Sequence, residues 1–570
     1  MTRKSVDAAT TAEAVIAMLA ERGVDYFFAN AGTDFPPIIE AFAKFAAQGR
    51  PAPVPVTAPH ENTAMGMAHG CYLATGRPQA VMVHTIVGTA NAVMGIMNAS
   101  RQNVPVLVMA GRTPITEEGN PASRNRLIHW AQESYDQAGM LREYVKWDYE
   151  LRTGDQVEAV IDRALRIAMS EPRGPVYLSL PREVIAAPMN GFSIGPARAP
   201  TDGGRPNADA LEKAADILAK ARNPLIVVSA AGRFHNSVAA LADFAETFAI
   251  PVVGSWPRHL CLPSNHPMHM GFEPGDPVAQ ADAIVVLECD VPWIPALEGP
   301  AENTKVIHIG VDPTFADYPI HSFPADVSIA ADPAAAIHDL AAALTGRLDT
   351  KSAAVEERRA LIALARTDML ERRQESLEKA RAETPMDRAW VTHCIDRVKD
   401  DDTIVLNESP LVQDHLTFGQ PGLFYSAASV GGLGWALGAA LGVKLGAPGR
   451  LVIAGVGDGA YIFGNPTSVH LVGRALDLPT LTVIFNNHMW GAVSRATKSL
   501  YGDGYAAKSN RPPLTFLEPS PDYELIVQAS GGHGERVENP DELMPALRRA
   551  VAVVKDERRQ AVLNVITQGV

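Results

Sequence analysis

Asp458 lies inside Gly457-Asp458-Gly459, at the end of an apolar run, Leu451-Val452-Ile453-Ala454-Gly455-Val456. A second apolar run, Leu481-Thr482-Val483-Ile484-Phe485, ends in Asn486-Asn487. Between them the pattern predicts a helix over about 467–476 and a turn at Pro479, so the unit reads strand–helix–strand. In a parallel sheet this brings a carboxylate and an amide to the carboxyl ends of neighbouring strands, where open α/β sheets bind ligands. Hard oxygen ligands beside glycines that let backbone N–H groups approach closely suit Mg²⁺ carrying a diphosphate. Two other readings compete. Gly455-x-Gly457-x-Gly459 superficially matches a dinucleotide fingerprint with Asp477 as its ribose acid, but the spacing is GxGxG rather than GxGxxG. The blander reading is a tight turn after one strand and an ordinary Asn-Asn turn after the next. Both motifs falling at strand ends favours the metal–diphosphate site.

The elements that must position these groups follow from length and periodicity. A chain of 570 residues is too long for one core and suggests three domains. Its 47% hydrophobic and 20% charged residues describe a packed protein rather than a disordered one. A net charge of −14 argues against nucleic acid or an anionic membrane as partner. Cys71, Cys261, Cys289 and Cys394 lack metal-ligand spacing and read as small buried residues in a reducing compartment. There is no apolar run of about 18 residues and no signal-peptide core after Met1, so a cytoplasmic location is expected.

Three α/β blocks are expected. In the first, helices at 11–22, 62–74, 90–101 and 156–170 alternate with strands at 26–28, 80–84, 104–109 and 176–180, the pattern of a doubly wound parallel sheet. The Pro- and Gly-rich stretch 188–206 reads as a linker. The second block carries strands near 225–229, 251–253, 283–287 and 305–309. A charged helix over 354–383 follows, its Glu, Arg and Lys reading as a solvated face. The third block holds the Asp458 and Asn487 motifs.

Glu61, in Pro59-His60-Glu61-Asn62 at the start of an Ala/Gly/Met-rich helix, reads locally as a first-turn acid serving the macrodipole. Together, however, the motifs carry a resemblance. The Gly457-Asp458-Gly459 to Asn486-Asn487 unit, with 26 residues between, resembles the diphosphate motif of thiamine-diphosphate enzymes. His60-Glu61-Asn62 and the residues through Val81 resemble the first-domain signature of the superfamily of pyruvate decarboxylase, acetolactate synthase and benzoylformate decarboxylase. The resemblance covers nearly the whole chain. It implies an α/β fold of three doubly wound parallel-sheet domains: a pyrimidine-binding domain at 1–187, a central domain at 207–345 and a diphosphate-binding domain at 386–570. It implies that Glu61 hydrogen-bonds the aminopyrimidine ring and drives the tautomerisation by which the cofactor deprotonates its thiazolium carbon. Asp458, Asn487 and the backbone carbonyl of Met489 become Mg²⁺ ligands, with Gly457, Gly459 and Ala460 beside the diphosphate. In Leu406-Asn407-Glu408-Ser409 and Gly431-Gly432-Leu433-Gly434, the same resemblance places Ser409 at the cofactor. It makes Leu433 the wedge beneath the bent cofactor and the Gly431 carbonyl the acceptor for its exocyclic amine. A close helix–sheet contact would also explain those glycines.

Within the superfamily, benzoylformate decarboxylase looks nearest. His84-Thr85-Ile86-Val87-Gly88-Thr89-Ala90-Asn91 matches its His and Gly-Thr-x-Asn signature, with His84 placed 23 residues after Glu61 as a catalytic histidine. An imidazole there can protonate a carbon or accept a proton from a carbinol; a structural strand-end histidine is the alternative. Asn30-Ala31-Gly32-Thr33 occupies the place of that family's Asn-Pro-Gly-Ser, and this resemblance would put the Thr33 hydroxyl near the substrate carboxylate; a threonine capping the following helix is the alternative. The sequence also departs from that family: 288–295 contains no histidine where the family has a second one. His488 is either a surface turn residue or a replacement proton donor. The polar segment 498–513, with Lys498, Lys508 and Arg511, has the length of a lid, though its charges read as solvated.

The expected activity is non-oxidative cleavage of a 2-oxo acid through an enamine, with carboligation as a further outcome. A 2-hydroxyacyl-CoA lyase, an acetolactate-synthase-like carboligase and a non-catalytic protein of the same fold are the alternatives. No firm nucleotide motif marks the central block. Glu61 and Asp458 fall in different blocks, and in this family they come from two subunits, so a homodimer or homotetramer with interfacial sites is implied.

Overall fold

The structure, a computed structural model, describes residues 3–569. Its first sheet contains, in chain order after a short strand β1 (Lys4–Val6), strands β2 (Tyr26–Ala29), β3 (Val54–Thr57), β4 (Gln79–Val83), β5 (Val106–Arg112), β6 (Asp148–Glu150) and β7 (Val176–Pro181). The sheet order is β3-β2-β4-β5-β7-β6, and every pairing is parallel. The stretch expected as a linker contains β8 (Phe192–Ile194), which pairs antiparallel with β1 and ties the end of the first block back to its beginning. Alternation of Phe192 and Ile194 gives that segment an apolar side that the Pro/Gly count concealed.

The central sheet is β10 (Val252–Gly254), β9 (Pro224–Val228), β11 (Ala283–Leu287), β12 (Lys305–Gly310) and β13 (Val327–Ala330), again all parallel. The third comprises β14 (Ile404–Glu408), β15 (Phe424–Ser426), β16 (Val452–Gly457), β17 (Leu481–Asn486), β18 (His533–Val537) and β19 (Ala561–Ile566), in the order β15-β14-β16-β17-β19-β18. Counted from its own first strand, each outer sheet has the order 2-1-3-4-6-5. The first and third domains are therefore structural repeats, and in each the chain reverses its winding direction between strands 1 and 3, the crevice where such sheets bind ligands.

The repeats join through equivalent helices. Glu61–Thr75 follows the second strand of the first sheet, and Trp435–Gly446 follows the second strand of the third. They pack almost backbone to backbone: a Cβ on Gly70 would lie 2.0 Å from the Ala439 carbonyl oxygen, and one on Gly442 would lie 2.0 Å from that of Met67. Apolar side chains of both domains merge here into one core that includes Met65, Met67, Leu437 and Leu441. The Glu61–Thr75 helix starts at His60, whose side chain accepts from the Asn62 N–H, and stops at left-handed Gly76.

The charged stretch is one helix, Ala353–Arg381. Most of it is solvated as expected, but Arg358 is buried and donates to the carbonyls of Phe248 and Ala249 at a helix C-terminus. Arg373 pairs with Asp414, so this helix also ties the central to the third domain. All four cysteines are buried and free. Among the described residues no helix is long and apolar enough to cross a membrane.

Candidate active site

At the crevice of the first sheet, the β2–helix turn faces the end of β4. Glu61, the first residue of its helix, is buried, and each of its carboxylate oxygens accepts from an amide: Asn30 Nδ2 at 2.9 Å and Asn91 Nδ2 at 2.5 Å. A helix-capping acid has no need of either amide. Gly88 keeps the space beside Glu61 open, since a Cβ there would come within 3.2 Å of Oε1.

His84 does not end the strand as expected; β4 stops at Val83, and His84 leads into a helix that begins at Thr85, five residues before the expected start. The cause is tertiary. Asp34 accepts from the Thr85 N–H at 3.3 Å, satisfying one orphan amide of that helix, and Thr85 sits at φ +39. The other Asp34 oxygen lies 2.5 Å from His84 Nδ1, and this bond raises the imidazole pKa above its ordinary value. Gln132 Nε2 lies 3.2 Å from His84 Nε2. Gly32 fits flat against the ring: a Cβ would lie 2.1 Å from Nδ1. Thr33 stands between Gly32 and Asp34, its carbonyl 3.5 Å from Arg182 Nη1. It does not cap the next helix, whose N-cap is Phe35 without a side-chain bond.

The corresponding crevice of the third sheet holds the other motifs. Asp458 follows β16 and is buried; its Oδ2 has no hydrogen-bond partner, and burial pushes its pKa up to about 6, partly offset by the N–H groups of Gly459, His488 and Met489. Asn486 ends β17 with its side chain inward, donating to Asn564 Oδ1 at 3.0 Å. Asn487 is half-buried, its Oδ1 3.1 Å from the Met489 N–H. His488 sits at φ +58 with a buried, unpaired Nδ1. Gly459 lies flat under Trp490, and Ala460 is buried behind it.

Gly431 (φ +70) and Leu433 reach toward the first domain: Asn98 Nδ2 donates to the Gly432 carbonyl at 2.9 Å, and Asn62 Nδ2 lies 3.5 Å from that of Leu433. Glu408 fixes this turn, accepting from the Gly434 and Ala436 N–H groups; it is wholly buried, which pushes its pKa up to about 7. Ser409 follows at φ +79 and is exposed. The segment 498–513 is less loop than expected: 498–500 finish the Gly491–Leu500 helix, and Tyr505–Lys508 form a further turn of helix. Arg511 pairs with Glu518 and lies over Phe516.

Family models agree with this division: the N-terminal TPP-binding domain of thiamine pyrophosphate enzymes matches residues 9–140, their central domain 211–340 and their C-terminal TPP-binding domain 409–565. The chain belongs to the thiamine pyrophosphate enzymes. It is 26% identical to a sulfoacetaldehyde acetyltransferase of Rhodobacter capsulatus, over 95% of this chain and 92% of that one. It is 24% identical to the acetolactate synthase isozyme 3 large subunit of Escherichia coli, over 96% and 93%. A crystal structure of benzoylformate decarboxylase from Polynucleobacter necessarius superposes with a TM-score of 0.78 at 22% identity, covering 99% of both chains, and establishes the shared fold. The chain is thus a thiamine-diphosphate-dependent enzyme of the decarboxylase and carboligase family. Its residues fit the group that family binds. The orphaned Asp458 Oδ2 calls for a cation, and the open space at Gly457 admits a diphosphate. No cluster of three His, Cys, Asp or Glu side chains is present among the described residues.

Proposed function

We propose that this thiamine-diphosphate enzyme uses Mg²⁺ and cleaves a 2-oxo acid non-oxidatively. The observation that carries the reading is Glu61, a buried carboxylate clamped by Asn30 and Asn91 beside the His84–Asp34 pair. Asp458, Asn487 and the Met489 carbonyl would hold Mg²⁺, with Gly457, Gly459 and Ala460 against the diphosphate. Ser409, the Gly431 carbonyl and Leu433 would hold the ring portion, and Glu61 its aminopyrimidine. The bound cofactor supplies an electron sink for the bond between keto carbon and carboxylate. His84, its Nδ1–H given to Asp34, presents Nε2 to move a proton at the reacting carbon or its oxygen. Thr33 offers a hydroxyl to the carboxylate, and His488 stands as a second proton carrier at the third-domain side.

Glu61 and Asp458 must reach one cofactor from different domains. Large apolar side chains are exposed in the chain segments that carry site residues: Leu127, Ile128 and Trp130 just before Gln132, Val430 next to Gly431, and Ile462 and Phe463 in the helix that Asp458 begins. Exposed patches of this kind mark interaction surfaces. A second copy of the chain covers them in our reading, giving a homodimer or a larger homo-oligomer in the cytoplasm, with sites at the interface.

The test is a panel of 2-oxo acids and 2-hydroxyacyl-CoA esters with thiamine diphosphate and Mg²⁺, measuring CO₂, aldehyde and 2-hydroxy ketone together. Aldehyde with stoichiometric CO₂ supports the reading; hydroxy ketone as the main product would make the chain a carboligase. Turnover of the CoA esters alone would overturn it.

A further inference from the structure

Arg258 and Asp290 form a buried ion pair where the central domain meets the third. Arg258 follows β10 and Asp290 follows β11, and the arginine Nη1 lies 2.9 and 2.8 Å from the two carboxylate oxygens. Burial works against the charge on Asp290, but Arg258 and the Tyr318 hydroxyl outweigh it and hold the pKa below its ordinary value. Taking two charges out of water is expensive, so such a pair is weak evidence for stability; its best attested use is to fix a register. What this pair fixes is Ser429. The Ser429 hydroxyl accepts from Arg258 Nη1 at 3.0 Å and lies 3.4 Å from Asp290 Oδ2. The arginine backbone is anchored in both sheets: its N–H donates to the Ser229 carbonyl just past β9 at 2.9 Å, and its carbonyl accepts from the Ser426 N–H of β15 at 3.0 Å.

Ser429 opens the turn that contains the Gly431 carbonyl and Leu433. Gly431 at φ +70 and Gly434 at φ +79 give this turn backbone freedom, so its shape must be imposed by its neighbours. Each domain supplies one hold: Asn98 of the first at the Gly432 carbonyl, Glu408 of the third at the Gly434 N–H, and Arg258 of the central domain at Ser429. We propose that Arg258 and Asp290 are a positioning pair, through which the central domain sets the turn carrying the Gly431 carbonyl and Leu433 by holding the Ser429 hydroxyl. This rests on the reading above that assigns that turn to the ring portion of the cofactor. It gives the stretch 288–295, which has no histidine, a part in the site through Asp290.

The test is a calorimetric titration of thiamine diphosphate into the full-length apoenzyme with Mg²⁺ present. Ser429→Ala should weaken binding about 10-fold, the worth of a hydrogen bond to a charged group, with its urea midpoint unchanged. Ser429→Thr, which keeps the hydroxyl, should bind as the wild type does. Replacing the whole pair by apolar residues, Arg258→Met with Asp290→Leu, leaves no unpaired buried charge and should weaken binding by the same factor. Adding Ser429→Ala to that double variant should then cost nothing more, because all three residues act as one unit. Wild-type affinity in Ser429→Ala overturns the proposal, as does a binding loss that tracks a lowered urea midpoint or a further 10-fold loss in the triple variant. Leu433→Ala separates this proposal from the reading beneath it. Weakened binding there with wild-type affinity in Ser429→Ala sinks the positioning pair alone, whereas wild-type affinity in Leu433→Ala sinks the assignment of the turn and the pair with it. No substrate enters the titration, so a failure of the lyase reading would show in the 2-oxo acid panel and not here.

Discussion

At the crevice of the first sheet, the groups proposed to handle protons are paired inside their own domain: Glu61 with Asn30 and Asn91, His84 with Asp34 and Gln132. At the equivalent crevice of the third sheet, Asp458 Oδ2 and His488 Nδ1 are buried and unpaired. The two repeats share a strand order but not a plan. A group that must transfer a proton in a fixed geometry gains from orientation in advance. A group that binds a cation must keep its oxygen free of protein donors and carries that desolvation cost until the cation arrives. On the proposed function, the first crevice would be set mainly for chemistry, and the third mainly for capture with His488 as its one proton carrier.

The largest expected effect comes from Glu61→Gln. It should lower kcat by about 10³-fold, in the range of a lost acid–base group, with bound cofactor per subunit unchanged. Should cofactor be lost in parallel with activity, the first crevice would be a binding site like the third. Asp458→Asn should do the reverse, weakening the uptake of thiamine diphosphate in Mg²⁺ by about 10²-fold, and dialysis against a chelator should reproduce the loss in the wild type. Gly32→Ala drives a methyl group into His84; a displacement of about 1 Å at a catalytic group costs on the order of 10² in rate, with cofactor binding retained.

Asp34→Asn tests the pairing by pH. Asp34 raises the His84 pKa, so removing its charge must move the His84 limb of the kcat/KM profile toward lower pH; an unmoved limb would show that His84 is not the titrating group. The smallest effect concerns the apoenzyme. Burial lifts Asp458 from 3.8 to about 6, so the folded chain holds that proton to higher pH than the unfolded one. Ionised Asp458 then weakens the apo fold above about pH 6, and the penalty vanishes as pH falls below 3.8. Apo Asp458→Asn should exceed the wild type by up to about 3 kcal/mol in urea unfolding at pH 8, and by nothing near pH 3.5.

The sequence discloses the third crevice more fully than the first. Asp458 and Asn487 each follow an unbroken apolar strand, and such runs at fixed spacing are what a buried parallel sheet requires. Glu61 is visible too, but only through the resemblance of His60-Glu61-Asn62 and the residues after it to a family signature, since locally it reads as a first-turn acid. The partners of Glu61 and His84 are not. Asn30 and Asn91 stand in recognisable motifs, but their hydrogen bonds cross elements that only the folded sheet brings together. Asp34 overrides local propensity by capping a helix from another strand end, which moved its start from the expected residue 90 to Thr85. Gln132 lies in a stretch with no periodicity at all, so neither a helix nor a strand pattern points to it. The shared 2-1-3-4-6-5 order is also silent in sequence, since parallel strands of similar apolar composition do not encode their neighbours.

The division of labour between the crevices is tested most directly by titrating thiamine diphosphate, with and without Mg²⁺, into apo Glu61→Gln and apo Asp458→Asn, and measuring bound cofactor and turnover on the same samples. We predict Mg²⁺-dependent binding near wild-type affinity without turnover for Glu61→Gln, and loss of binding for Asp458→Asn. Full turnover by Glu61→Gln, or Mg²⁺-dependent binding of wild-type affinity by Asp458→Asn, would contradict it.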